Sequence, residues 1–140
     1  SQNKEVIKIK SIDNGIEIKF NSAYLFNTAD SSLKPDMVEL LDLIVEVISD
    51  TKKPFIIEAH GHTDSRPLKS GRFKNNWELS VLRATSVVEI MTGNSSINPK
   101  ILSASGRSQY NPIGEDKAAN RRIEVILTPN LDKLFDIISK

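Results

Sequence analysis

The chain has 140 residues, 39% hydrophobic and 26% charged, a balance suited to one globular domain with a proper core. Its formal net charge of +1 gives no broad field for nucleic acid or an anionic membrane, so a charged ligand must be held by a local site. The absence of cysteine excludes disulfides, thiolate metal clusters and thiol nucleophiles, and no apolar run approaches the roughly 20 residues that cross a bilayer.

The polar start Ser1-Gln2-Asn3-Lys4-Glu5 does not read as a signal peptide, and the chain is expected to be a fragment of a longer anchored protein. Apolar residues alternate from Val6 to Ile12, Asp13-Asn14-Gly15 signals a turn, and alternation resumes from Ile16 to Phe20, which predicts a β-hairpin. After Ser31-Ser32 and Pro35, residues Met37, Leu40, Leu41, Ile44 and Ile48 recur at helical spacing up to Asp50. Phe55 to His60 follows a proline, is largely apolar and reads as a strand ending near Gly61, with a polar loop from Thr63 to Lys74.

A second helix opens at Asn75, with Glu78 completing a capping-box-like pattern, and ends near Gly93. Ile101 to Gly106 reads as a strand, Glu115 to Asn120 as a helical turn, Arg122 to Leu127 as a last strand, and Leu131 to Ser139 as a terminal helix. That helix carries Leu131, Leu134, Phe135 and Ile138 on one face. The order β-β-α-β-α-β-β-α predicts an α+β fold, a mixed sheet with helices packed mainly on one face, in a single domain spanning residues 1–140.

The second helix holds a conflict between pattern and chemistry. Leu79, Leu82, Ser86, Val87 and Ile90 form one stripe, and Arg83 falls close to its centre. Arginine cannot shed its proton, so Arg83 needs an anion or a path to water. Asp64, just after the preceding strand, is the natural neighbour. Two readings stand: an internal Asp64–Arg83 salt bridge serving the fold, or a cleft in which the carboxylate accepts an ammonium and the guanidinium forks onto a carboxylate.

His60-Gly61-His62-Thr63-Asp64 also places two imidazoles and a carboxylate on one side of an extended strand, the pattern of a metal-dependent hydrolase. No second acidic cluster supplies further ligands, and the bland alternative is a pair of hydrogen-bonded histidines at a strand end. Nucleophile elbows, P-loops and dinucleotide fingerprints are missing, so an enzyme is the weaker class and no cofactor or metal is expected. Trp77 reads as a packing residue or a sugar platform beside the cleft.

Four segments in order, Glu58 to Asp64, Asn76 to Ala84, Leu102 to Gly106 and Asn120 to Glu124, resemble the successive signatures of the OmpA-like peptidoglycan-binding domain. The resemblance covers roughly residues 16–128, including the Phe26 to Pro35 stretch, with the first strand and last helix appended. It implies a two-layer sandwich and a non-catalytic site in which Asp64 and Arg83 bind the diaminopimelate of a peptidoglycan stem peptide. By the same resemblance Asn76, Leu79 and Thr63 belong to the site, and Arg121 lies near it.

The long loop from Arg66-Pro67 to Asn76-Trp77-Glu78-Leu79-Ser80 looks most like the MotB branch, the flagellar-motor stators that tie an ion channel to the cell wall. That branch implies a periplasmic location, a homodimer and an ion-channel stator partner met through a missing N-terminal part. Its alternative is a Pal- or OmpA-type outer-membrane anchor, or another non-flagellar envelope anchor.

Overall fold

A computed structural model describes residues 7–51, 53–68, 71–93 and 97–139. Strands β1 (Ile7–Ile12) and β2 (Gly15–Asn21) form the predicted hairpin, with Ile12 opposite Gly15 across a two-residue turn. Gly15 is required there by close approach, since a Cβ would lie 1.9 Å from the Leu127 carbonyl oxygen. A short helix α1 (Ser22–Leu25), which sequence patterning did not anticipate, is capped by the Asn21 side chain accepting from Ala23 N at 3.0 Å. Helix α2 (Pro35–Asp50) starts on its proline and buries Leu41 and Val45.

Strand β3 (Phe55–His62) runs one residue past its expected end near Gly61. Helix α3 (Asn76–Thr92) opens where predicted, with the Asn75 side chain accepting from Glu78 N at 3.0 Å, and ends at Gly93. After a 3-10 turn at Pro99–Ile101 come β4 (Leu102–Gly106), α4 (Lys117–Asn120), β5 (Arg122–Pro129) and α5 (Leu131–Ser139). Of the residues assigned from sequence, Val6 and the Leu134 side chain lie outside the described set.

The five strands lie in the order β1-β2-β5-β3-β4, and only the β3–β4 pair is parallel. The sheet is thus mixed, as expected. Ile18 and Phe20 of β2, Ile57 and Ala59 of β3, and Ile123, Val125 and Leu127 of β5 form its buried face, packed against Leu41 and Val45 of α2 and Ala84, Val87 and Met91 of α3. Alternate residues of the same strands point to the other face.

One expectation about a helix face is corrected, and a second face meets no part of the described fold. On α3 the buried stripe is Asn76, Leu79, Ser80, Arg83, Ala84, Val87 and Met91, while Leu82 is 38% exposed. Small side chains face the sheet because the helix sits close to it: a Cβ on Gly61 would lie 2.1 Å from the Ser80 carbonyl oxygen. On α5 the apolar stripe exists but points outward, with Leu131, Phe135 and Ile138 each about 70% exposed.

Candidate functional site

A cleft of about 710 Å³ opens between the α1–α2 connection, the loop after β3, the first turns of α3 and the start of β5. Its lining includes Thr63, Asp64, Asn76, Leu79, Arg83 and Arg121, so the fold gathers all six residues singled out from the sequence. Lys34 and Arg66 join them, together with Phe26, Asn27, Thr28 and Ala29. Four cationic side chains therefore face one carboxylate.

Asp64 is 5% exposed and sits just beyond β3. Its Oδ1 accepts from the Arg66 backbone N at 2.9 Å, a local turn of the kind aspartate favours, while Oδ2 accepts from Arg66 Nε at 2.9 Å and from Arg121 Nη1. Burial alone would raise the pKa of this carboxyl. The Arg66 amide and the Arg66 and Arg121 guanidinium groups outweigh it and hold the group below the usual carboxylate range.

Arg83 does not pair with Asp64. Its Nε donates to the Asp30 carbonyl at 2.7 Å, its Nη2 to the Asn27 carbonyl at 3.1 Å, and its Cζ lies 4.8 Å from the centre of the Phe26 ring. The internal salt bridge considered from sequence is therefore not formed. The connection over residues 26–34 folds across α3 and presents backbone carbonyls to the guanidinium. Desolvation lowers the Arg83 pKa to about 10, so the side chain stays a cation at neutral pH, 6% exposed.

Asn76 Nδ2 donates to the Arg66 carbonyl at 3.0 Å and is 3.4 Å from both the Asp64 carbonyl and Gln109 Oε1, so it fastens the Asp64–Arg66 turn to the start of α3. Thr63 is buried, its N donating to the Ser108 carbonyl and its hydroxyl to the Asp64 carbonyl. Leu79 is 4% exposed and supplies apolar wall. Trp77, 50% exposed, does not pack in the core but meets the exposed Tyr110 ring at 5.3 Å between centroids.

Sequence reasoning missed Arg66 and Lys34 as lining residues. An arginine two positions after an aspartate that makes such a turn was the available signal for the first. The suspected trio His60, His62 and Asp64 is also not brought together. Because β3 continues to His62, its two histidines share a face with Glu124 of β5, whereas Asp64 lies past the strand end with two guanidinium groups.

An open mixed sheet with helices on one face and a polar cleft at the end of its interior strand β3 defines the class. Residues 25–125 match the profile of the OmpA family, and the chain belongs to that family. Among its relatives, motility protein B of Bacillus subtilis is 31% identical across 92% of this chain and 54% of its own length, and motility protein B of Helicobacter pylori strain J99 is 31% identical across 94% and 53%. The chain thus spans about half the length of these relatives. The crystal structure of the periplasmic domain of Helicobacter pylori MotB (residues 78–256) superimposes with a TM-score of 0.81 at 29% identity, covering 94% of this chain and 89% of that one.

Proposed function

We propose that the cleft binds the peptidoglycan stem peptide at its diaminopimelate residue, and that the chain is the wall-binding part of a larger envelope protein, a MotB-type motor stator. The observation that carries the reading is the presence of a buried ionised carboxylate, Asp64, and a buried guanidinium, Arg83, in the wall of one cleft without pairing to each other. A residue whose free end bears an ammonium and a carboxylate satisfies both. The surplus of Lys34, Arg66 and Arg121 favours a ligand with more carboxylates than ammonium groups, as a stem peptide has.

In this reading Asp64 accepts the ammonium and Arg83 donates to the carboxylate. Leu79 contacts the methylene chain, Thr63 and Asn76 hold the turn that presents Asp64, and Arg121 adds positive charge at the rim. The role is anchoring, without catalysis. A periplasmic location, a homodimer and an ion-channel partner belong to the same proposal and rest on the likeness to motility protein B.

The test is sedimentation with purified peptidoglycan. The chain pellets with a diaminopimelate wall and much less with a wall carrying lysine at that position, which lacks the second carboxylate. Equal pelleting with both would refute diaminopimelate recognition, and no pelleting with either would refute wall binding. An outer membrane protein A of Bordetella avium, 32% identical over 78% of this chain, keeps a non-flagellar envelope anchor as the second reading. Co-purification of the full-length protein with a multi-span membrane partner decides between the two.

A further inference from the structure

We infer that His60, His62 and Glu124 form a binding site for a divalent transition-metal ion, on the sheet face opposite the helices and separate from the cleft. Residues 60 and 62 of β3 point the same way because strand side chains alternate, and His60 stands directly opposite Glu124 in the β3–β5 register. One ligand atom from each of the three lies within 4.8 Å of the other two, held by the backbone ladder rather than by a loop. Two imidazoles and one carboxylate are the donor set that suits zinc and its neighbours, with the remaining coordination position open to water or to Glu58.

The surroundings are those of held ligands. Glu124 Oε2 accepts from Arg122 Nε at 2.7 Å, and Arg122 is fixed in turn by donating to the Asn111 and Asn120 carbonyls, which aims the carboxylate at the histidines. His62 Nε2 donates to Glu124 Oε1 at 3.1 Å and His60 Nε2 to Glu58 Oε1 at 2.9 Å. The His62 side chain is 4% exposed, and its Nδ1 has no hydrogen-bond partner among the described residues. Coordination through Nε2 places the ring proton on Nδ1 and exchanges the Nε2–Glu124 hydrogen bond for two bonds to the ion. A bound ion would clamp β3 to β5, its ligand His62 two residues before Asp64 and its ligand Glu124 three residues after Arg121.

The experiment is calorimetric titration of chelator-stripped protein with Zn²⁺. One ion per chain, with affinity reduced at least about tenfold in both His60→Ala and Glu124→Gln, is the expected result. His60 lies at a partly exposed rung, so His60→Ala keeps the fold and remains informative if Glu124→Gln does not. Absence of saturable binding, or binding that His60→Ala leaves unchanged, would overturn the inference.

Discussion

Asp64→Asn separates the carboxylate's charge from its place in the fold. The amide keeps an oxygen to accept from the Arg66 backbone N, so the local turn survives. What is lost is the charge opposite Arg66 and Arg121, whose side chains are 57% and 29% exposed and can turn toward water. Charge-assisted hydrogen bonds contribute about 1.5–3 kcal/mol each, but solvent access to the partners and the retained acceptor reduce the net cost to about 1–2 kcal/mol. For a chain of this size that lowers the melting temperature by roughly 3–10 °C, within reach of circular dichroism. Binding suffers more: the ammonium of the ligand would lose its counter-charge in a largely dry site, at least about 1.4 kcal/mol or tenfold in Kd. Sedimentation with a diaminopimelate wall measures it. Wild-type pelleting by a folded Asp64→Asn protein would refute the role of Asp64, and an unfolded variant would assign the carboxylate to the fold.

Removing Arg83 has the opposite balance. Arg83→Ala strips the Asn27 and Asp30 carbonyls of their donor and opens space beside Phe26, so it destabilises by about 2–4 kcal/mol in denaturant unfolding, whereas Arg83→Lys keeps the charge, costs less stability and still loses the forked contact to ligand. Glu124 is partly buried, with its side chain 14% exposed. Despite burial, the His62 and Arg122 hydrogen bonds hold its pKa at about 2 against an ordinary 4.5. A carboxyl depressed on folding contributes stability in full above about pH 4.5 and loses it as pH falls toward 2, at most about 3 kcal/mol here. Glu124→Gln should therefore flatten the acid limb of the stability curve in that window, and an unchanged limb would refute the assignment. Gly61→Ala forces a methyl against the Ser80 carbonyl and should cost about 3 kcal/mol or more by thermal melting, because the atoms it meets are all Ser80 backbone and cannot swing aside.

Elements with a strong period were legible in the chain: the hairpin from its alternation, α2 from its proline start, α3 from Asn75 and Glu78. The cleft was legible as a set of side chains but not as a network. Arg83 is held by the carbonyls of Asn27 and Asp30, and a backbone oxygen leaves no trace in residue type. Its apparent partner Asp64 was already claimed from two positions along the chain by Arg66, a local competitor that an argument from strand-to-helix proximity overlooks. The face of α3 was misjudged at Leu82 because hydrophobicity stood in for proximity, whereas a helix resting on Gly61 must turn Ser80 and Ala84 inward. For α5 the periodicity was right, but periodicity says which residues share a face and not what that face meets.

The position of the cleft also bears on the load that the proposed anchoring role would impose. In that role, a pull on a ligand held by Asp64 would enter the fold at the end of β3, a strand flanked on both sides, with eight residues registered against β5 and five against β4. Directed along the strand, such a pull strains many ladder hydrogen bonds together rather than peeling them one by one. The second grip, Arg83, belongs to α3, which rests on β3 at Gly61 and is tied to the residue 26–34 connection through two carbonyls. Asp64 thus leads into an interior strand, and Arg83 leads through α3 to both β3 and the edge strand β4. If the proposed role holds, a single polar site of this kind would bind weakly, and holding power would come from several copies engaging one polymer at once.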